Sequence, residues 1–178
     1  MVKEKWTVFN ARLVMVSKIK KTLFYIFVAI ILFSGQFLFS SNQLQGKPPL
    51  IAKHTIEGRD VKGMVAKGPV IIYFWAEWCG ICKMMQSAVS AVLEEYPVVT
   101  IAVRSGTDSQ VEAYLRQYKL NWPVVNDPNS EIAQQYGVRG VPSLIIVNKK
   151  GDVGLIASGY TSEIGIKFRI WLSDVFSG

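Results

Sequence analysis

A chain of 178 residues leaves room for one domain of ordinary size once a short N-terminal segment is set aside, and that is enough for a real core. The net charge of +7 is unevenly placed: residues 1–21 hold six basic side chains and one acidic, and the rest holds fourteen basic and twelve acidic. The excess therefore belongs to the arm and not to the domain, which excludes a nucleic-acid-binding reading of the charge, and two cysteines three positions apart exclude a disulfide framework.

Residues 1–21 read as a basic cytoplasmic arm. Residues 22–40 (TLFYIFVAIILFSGQFLFS) carry no charge, and their length matches a bilayer crossing of roughly 20 residues. Lys18, Lys20 and Lys21 stand just before them, which places the N-terminus inside. A cleaved signal peptide is the rival reading. The run is longer than a usual signal core, and bulky Phe37, Leu38 and Phe39 spoil the small-residue pattern of a cleavage site. One uncleaved transmembrane helix over 22–40 is the expectation. Residues 41–49 (SNQLQGKPP) are polar with Gly and paired Pro, a linker that builds no core. The domain is expected over 50–178.

Short alternation around Gly58-Arg59 suggests a small hairpin over 54–61, with His54, the one histidine, at the surface. The apolar run 70–75 reads as a buried strand, opened by Gly68-Pro69. A helix is expected from Cys79 to about Glu95, with Met85, Ala88, Val89, Val92 and Tyr96 on one face and Pro97 ending it. Residues 98–103 are a β-branched run suited to a strand buried on both faces. Thr107 and Gln110 have capping-box spacing ahead of a helix carrying Val111, Leu115 and Tyr118 on one face, and Asn121-Trp122-Pro123 breaks it. Val124-Val125 reads as a short strand. Asp127 is expected to cap a helix over 129–136, with Pro128 at its first position and Gly137 past its end. Strands over 142–147 and 153–157 flank a turn. Thr161 or Ser162 caps a last helix, with Ile164, Phe168, Trp171 and Leu172 as its apolar stripe. The order implies a mixed α/β sheet covered on both faces.

The chemistry centres on Cys79-Gly80-Ile81-Cys82, placed where a strand turns into a helix. Free N–H groups and the positive end of the helix dipole favour thiolate at the first sulfur, and thiolate is the nucleophile in disulfide exchange. The second sulfur, one turn on, is placed to attack a mixed disulfide. Three other readings compete. A structural disulfide would close a tiny loop and stabilise little. Zinc wants about four ligands, against two cysteines and the distant His54. Copper(I) accepts two thiolates with a thioether, and Met84 and Met85 follow closely, although their spacing suits core; a periplasmic copper(I)-binding or copper-stress protein using the same cysteines is the alternative function. No metal is assigned.

The stretch Trp75-Ala76-Glu77-Trp78-Cys79-Gly80-Ile81-Cys82, with Gly140-Val141-Pro142-Ser143 ahead of the apolar run 144–147, resembles the thioredoxin superfamily. An anchor ahead of the domain points to its TlpA-like branch. Asn126-Asp127-Pro128, the segment 136–142 (YGVRGVP) and Ser158-Gly159-Tyr160-Thr161 resemble the suppressor-of-copper-sensitivity D proteins, periplasmic disulfide oxidoreductases. The resemblance spans about 48–178. It implies a thioredoxin-like mixed central sheet with helices on both faces and a small hairpin ahead of it. It implies a membrane-tethered protein-disulfide oxidoreductase with Cys79 attacking and Cys82 resolving, and no cofactor beyond the redox-active Cys79–Cys82 disulfide. Trp78 would shield the sulfur, and Gly80 would let substrate backbone approach. With Ile81 they would form a substrate-binding surface with Val141 and a cis Pro142, where the Val141 backbone could pair with a substrate strand. Implied partners are periplasmic protein thiols or disulfides, a membrane or soluble thiol electron-transfer partner, and the bacterial inner membrane, with a single pass and the C-terminal domain in the periplasm. Two departures stand out. Ile81 replaces the proline of ordinary thioredoxins, and Tyr73 stands where thioredoxin keeps a buried acid; Glu77 lies nearer the motif but is expected at the surface.

Overall fold

The computed structural model describes residues 20–21, 24–28, 46–66 and 69–175. The chain divides into two compact units, Met1–Asn42 and Gln43–Gly178. In the first, residues 24–28 are helical, with Phe24, Tyr25, Ile26 and Phe27 exposed. The remainder of the expected transmembrane run lies outside the described residues, and among those described no helix is long and apolar enough to cross a membrane.

The second unit is built on a five-stranded sheet of order β3-β2-β1-β4-β5: β1 Val70–Trp75, β2 Val98–Val103, β3 Val124–Asp127, β4 Ser143–Val147 and β5 Val153–Ser158. β1 is central because all six of its residues are buried, which suits a strand covered on both faces. It pairs in parallel with β2, as β2 does with β3. It pairs antiparallel with β4, which pairs antiparallel with β5.

Alternation along β1 divides the core in two. Ile71, Tyr73 and Trp75 face one cluster with Cys79, Cys82, Met85, Val89, Val111, Trp122, Ile166 and Ile170. Val70, Ile72 and Phe74 face the other with Val61, Val65, Val99, Ile101, Ile132 and Tyr136. Helices therefore cover both faces, as expected. α2 (Gly80–Met84), α3 (Gln86–Glu95), α4 (Asp108–Tyr118) and α6 (Glu163–Val175) lie on the first, and α1 (Val61–Ala66) and α5 (Glu131–Gln135) on the second.

Several expectations need correction. The expected hairpin shrinks to one antiparallel bridge, His54–Asp60, around Gly58 at φ +83°. The sequence reading missed α1, which Asp60 starts by accepting the N–H groups of Lys62 and Gly63. The helix expected over 79–95 is broken at Met85, whose N–H turns back to the Cys82 carbonyl at 3.1 Å. Asp127 ends β3 and does not occupy the cap position of α5, which falls to Ser130 at φ +61°. Its carboxylate nevertheless reaches over the turn and accepts from Ile132 (3.2 Å) and Ala133 (2.9 Å), so the capping chemistry is met from a strand end.

The largest correction concerns α6. Ile164, Phe168 and Trp171 face outward and Leu172 is half-buried; Ile166, Ile170 and Ser173 face the core. Both triads fit a 3.6-residue period. Close contact decides between them: a Cβ on Gly154 would run into the Ser173 hydroxyl, so Gly154 and the small Ser173 let α6 lie tight against β5. The Thr107–Gln110 capping box is formed on both sides, and Ser162, not Thr161, caps α6 through the Gly165 N–H.

Candidate active site

The antiparallel pairing of β1 and β4 makes the site. Phe74 pairs with Ser143, so the loop entering β4 meets the chain leaving β1. That loop carries Val141-Pro142, joined by a cis peptide bond. The chain leaving β1 carries Cys79 and Cys82, joined as a disulfide with Cα atoms 5.2 Å apart.

Cys79 occupies the cap position of α2 in an extended conformation, and the Cys82 N–H donates to its Sγ at 3.1 Å. A sulfur in that place accepts one of the otherwise unpaired first-turn donors. On the other side the Val141 carbonyl oxygen lies 3.7 Å from Cys79 Sγ, within reach of a thiol proton once the disulfide is opened. Relative exposure is 7% for Cys79 and 2% for Cys82. Both lie in the core cluster of that face, and Cys79 is the more exposed of the pair.

Trp78 stands out from the surface beside the pair, its indole Nε1 donating to the Arg104 carbonyl at 3.0 Å. Arg104 has a positive φ of 48°, and its Nε donates to Ser130 Oγ at 2.8 Å. The Glu77 N–H donates to Ser105 Oγ, and Ser105 in turn to the Val103 carbonyl. The turn after β2 thus fixes the approach to the cysteines. Arg104 and Ser105 were missed as support residues; Ser105-Gly106, a turn-forming pair, is their one trace in the sequence.

Ile81 is exposed, and a Cβ on Gly80 would meet nothing within 4 Å. Nothing inside the domain requires glycine there, and the space outside is open. With Trp78 and half-buried Val141 these residues border Cys79, so the fold brings together every residue named for the site. The two methionines part company. Met85 is 0% exposed and in core, as its spacing suggested, whereas Met84 is 68% exposed. Among the described residues no three His, Cys, Asp or Glu side chains cluster as metal ligands.

Tyr73 lies buried in the same cluster as both cysteines, its hydroxyl without a hydrogen-bond partner among the described residues. Burial pushes its pKa up, away from any proton acceptance at neutral pH. Glu77 is half-buried, more than expected, and its charge adds to the burial that raises the Tyr114 pKa.

A cis-proline loop set against a Cys-x-x-Cys disulfide, at the head of a helix packed on a mixed sheet, defines a thioredoxin-like domain. The chain belongs to the AhpC/TSA family, whose model matches residues 45–156. A thioredoxin-like protein of Haemophilus influenzae is 34% identical over 109 residues, 61% of this chain and 65% of the relative. The thiol-disulfide oxidoreductase ResA of Bacillus thuringiensis subsp. konkukian is 30% identical over 133 residues, 71% of this chain and 76% of its own. The chain thus spans about two thirds to three quarters of these relatives. The crystal structure of StoA from Bacillus subtilis superposes with a TM-score of 0.61 at 23% identity, over 68% of this chain and 96% of that one, a likeness of fold.

Proposed function

We propose that this protein is a thiol–disulfide oxidoreductase tethered to a bacterial inner membrane, with its domain on the extracytoplasmic side and its chemistry carried by Cys79 and Cys82. The observation that carries the reading is the bond from the Cys82 N–H to Cys79 Sγ. A donor aimed at that sulfur favours its anion over the neutral thiol once the disulfide is open.

In the reducing direction the Cys79 thiolate attacks one sulfur of a protein disulfide. A mixed disulfide forms and one substrate thiolate leaves. Cys82, deprotonated, then attacks Cys79 Sγ, closing the Cys79–Cys82 disulfide and releasing the second substrate thiol. Two electrons pass to the substrate, and a thiol partner, soluble or in the membrane, returns them. The reverse sequence oxidises a substrate dithiol. Trp78, Gly80, Ile81, Val141 and Pro142 form the surface on which the substrate segment lies, and Pro142, which lacks an N–H, brings no competing donor to the sulfurs. No buried carboxylate serves as base for Cys82, because Asp127, the one buried carboxylate among the described residues, is committed to two backbone N–H groups.

The tether rests on the uncharged run 22–40 and the lysines before it. The narrower likeness to suppressor-of-copper-sensitivity D proteins rests on the segments 126–128, 136–142 and 158–161. The test is trapping in cells. Cys82→Ser should accumulate mixed disulfides that vanish with reductant, and Cys79→Ser should accumulate none. The opposite pattern would reverse the two roles, and trapping by neither would sink the activity. A reporter fused after Gly178 should be active only outside the cytoplasm.

A further inference from the structure

Helix α6 has two apolar faces, and only one is used by the fold. Ile166, Ile170 and Ser173 are buried. Ile164, Phe168, Trp171 and Val175 recur at intervals of four, three and four, and are 80%, 55%, 58% and 54% exposed. The Phe168 and Trp171 rings stack at 5.8 Å. Isolated exposed apolar residues are ordinary, but a continuous stripe the length of a helix marks a surface made to be covered. The cations around it already have partners: Lys167 pairs with Glu95 and Glu163, Lys149 pairs with Asp174, and Arg169 donates to the Gly165 carbonyl. The stripe is thus apolar, with a rim whose two lysines are ion-paired.

Its position relative to the N-terminal chain indicates what covers it. The Gly46 carbonyl accepts the N–H of Val153, the first residue of β5. The next residue, Gly154, abuts Ser173 of α6, and Lys149 just before β5 holds Asp174 at 2.9 Å. The linker therefore joins the domain at the end where Trp171 and Val175 lie. Six residue steps separate Gly46 from the end of the uncharged run at residue 40, a reach of at most about 20 Å.

We propose that the outer face of α6 lies in the interface of the phospholipid bilayer to which the chain is tethered; this rests on the tethered reading above. Trp and Phe favour that depth. A tether this short keeps the local concentration of bilayer high, so a modest apolar stripe suffices. With both rim lysines ion-paired, the apolar stripe carries the docking. The opposite end of α6 lies toward the active site, since the Gly159 N–H donates to the Pro142 carbonyl just before the helix begins. A helix lying flat would therefore hold Cys79 side-on to the membrane, within reach of a partner embedded there.

The test uses the full chain in phosphatidylcholine vesicles, plain or brominated high on the acyl chain. The difference in emission between wild type and Trp171→Phe isolates Trp171. That difference should be largely lost in brominated vesicles and persist in plain ones. In the variant Ile164→Ser/Phe168→Ser/Val175→Ser, which keeps Trp171, the quenching should disappear while disulfide exchange is retained as the check on folding. Equal emission in both vesicle types would overturn the proposal, as would α6-to-α6 crosslinks between copies in place of quenching. Retention after alkaline carbonate washing reads the tether separately. A retained chain with unquenched Trp171 refutes the docking alone, and a chain that washes out refutes the tether and the docking with it.

Discussion

The two faces of the sheet are supplied by the same strand and are finished differently. On the face that carries the disulfide, Tyr73 and Trp75 pack edge-on around Trp122 at 5.9 and 5.5 Å, yet the Tyr73 hydroxyl and the Trp75 Nε1 are buried without hydrogen-bond partners among the described residues. On the opposite face Tyr136 packs on Phe74 at 5.5 Å and donates to the Pro49 carbonyl at 2.6 Å, while Asp127 accepts two backbone N–H groups. Buried polar groups are normally paired. The redox face leaves these two groups unpaired within its aromatic packing, and the far face pairs both its Tyr136 hydroxyl and its Asp127 carboxylate.

That contrast can be broken by substitution. The largest effect is expected from Trp122→Ala, which empties the centre of the aromatic cluster and strands Ser90 Oγ, the acceptor of its Nε1 at 2.9 Å. Denaturant unfolding should show a loss of about 3–5 kcal/mol. Next comes Asp127→Ala on the far face. It leaves two buried N–H groups without an acceptor, and hydrogen bonds to a charged group are each worth about 1.5–3 kcal/mol. A measured loss of about 3 kcal/mol, the low end for the two bonds together, is expected, with Asp127→Asn between wild type and Asp127→Ala.

The paired tyrosines sharpen the comparison. Tyr136→Phe should cost about 1 kcal/mol for its lost bond, whereas Tyr73→Phe should be near neutral because no bond is lost. Burial raises the pKa of both hydroxyls in the folded state. A group raised above its unfolded value contributes fully below that value and loses its contribution as pH climbs past it, here above about pH 10. Stability curves taken through that range should fall less steeply for Tyr73→Phe than for wild type. The smallest effect belongs to Met84→Leu, a volume-conserving change at an exposed position. Exchange kinetics should be unchanged; a marked fall would give Met84 a place in the site.

Local chemistry determined a good deal by itself. The apolar run 70–75, the Cys-x-x-Cys at its exit and the Val-Pro ahead of the next apolar run are short-range patterns, and each forms where expected. Thr107 and Gln110 satisfy each other across one turn, so their spacing alone suffices. The folded chain decided what these patterns left open. Met85 interrupts the helix after the cysteines, a break that the unbroken periodicity from 79 to 95 did not signal. Asp127 caps a helix from a strand end because the turn at 128–130 folds that helix back toward it. Two stripes of α6 satisfied the helical period equally, and the choice fell to the one with small Ser173, which fits against Gly154 of β5. Periodicity records that a helix has an apolar face. Which face the domain keeps is set by how closely two backbones can approach.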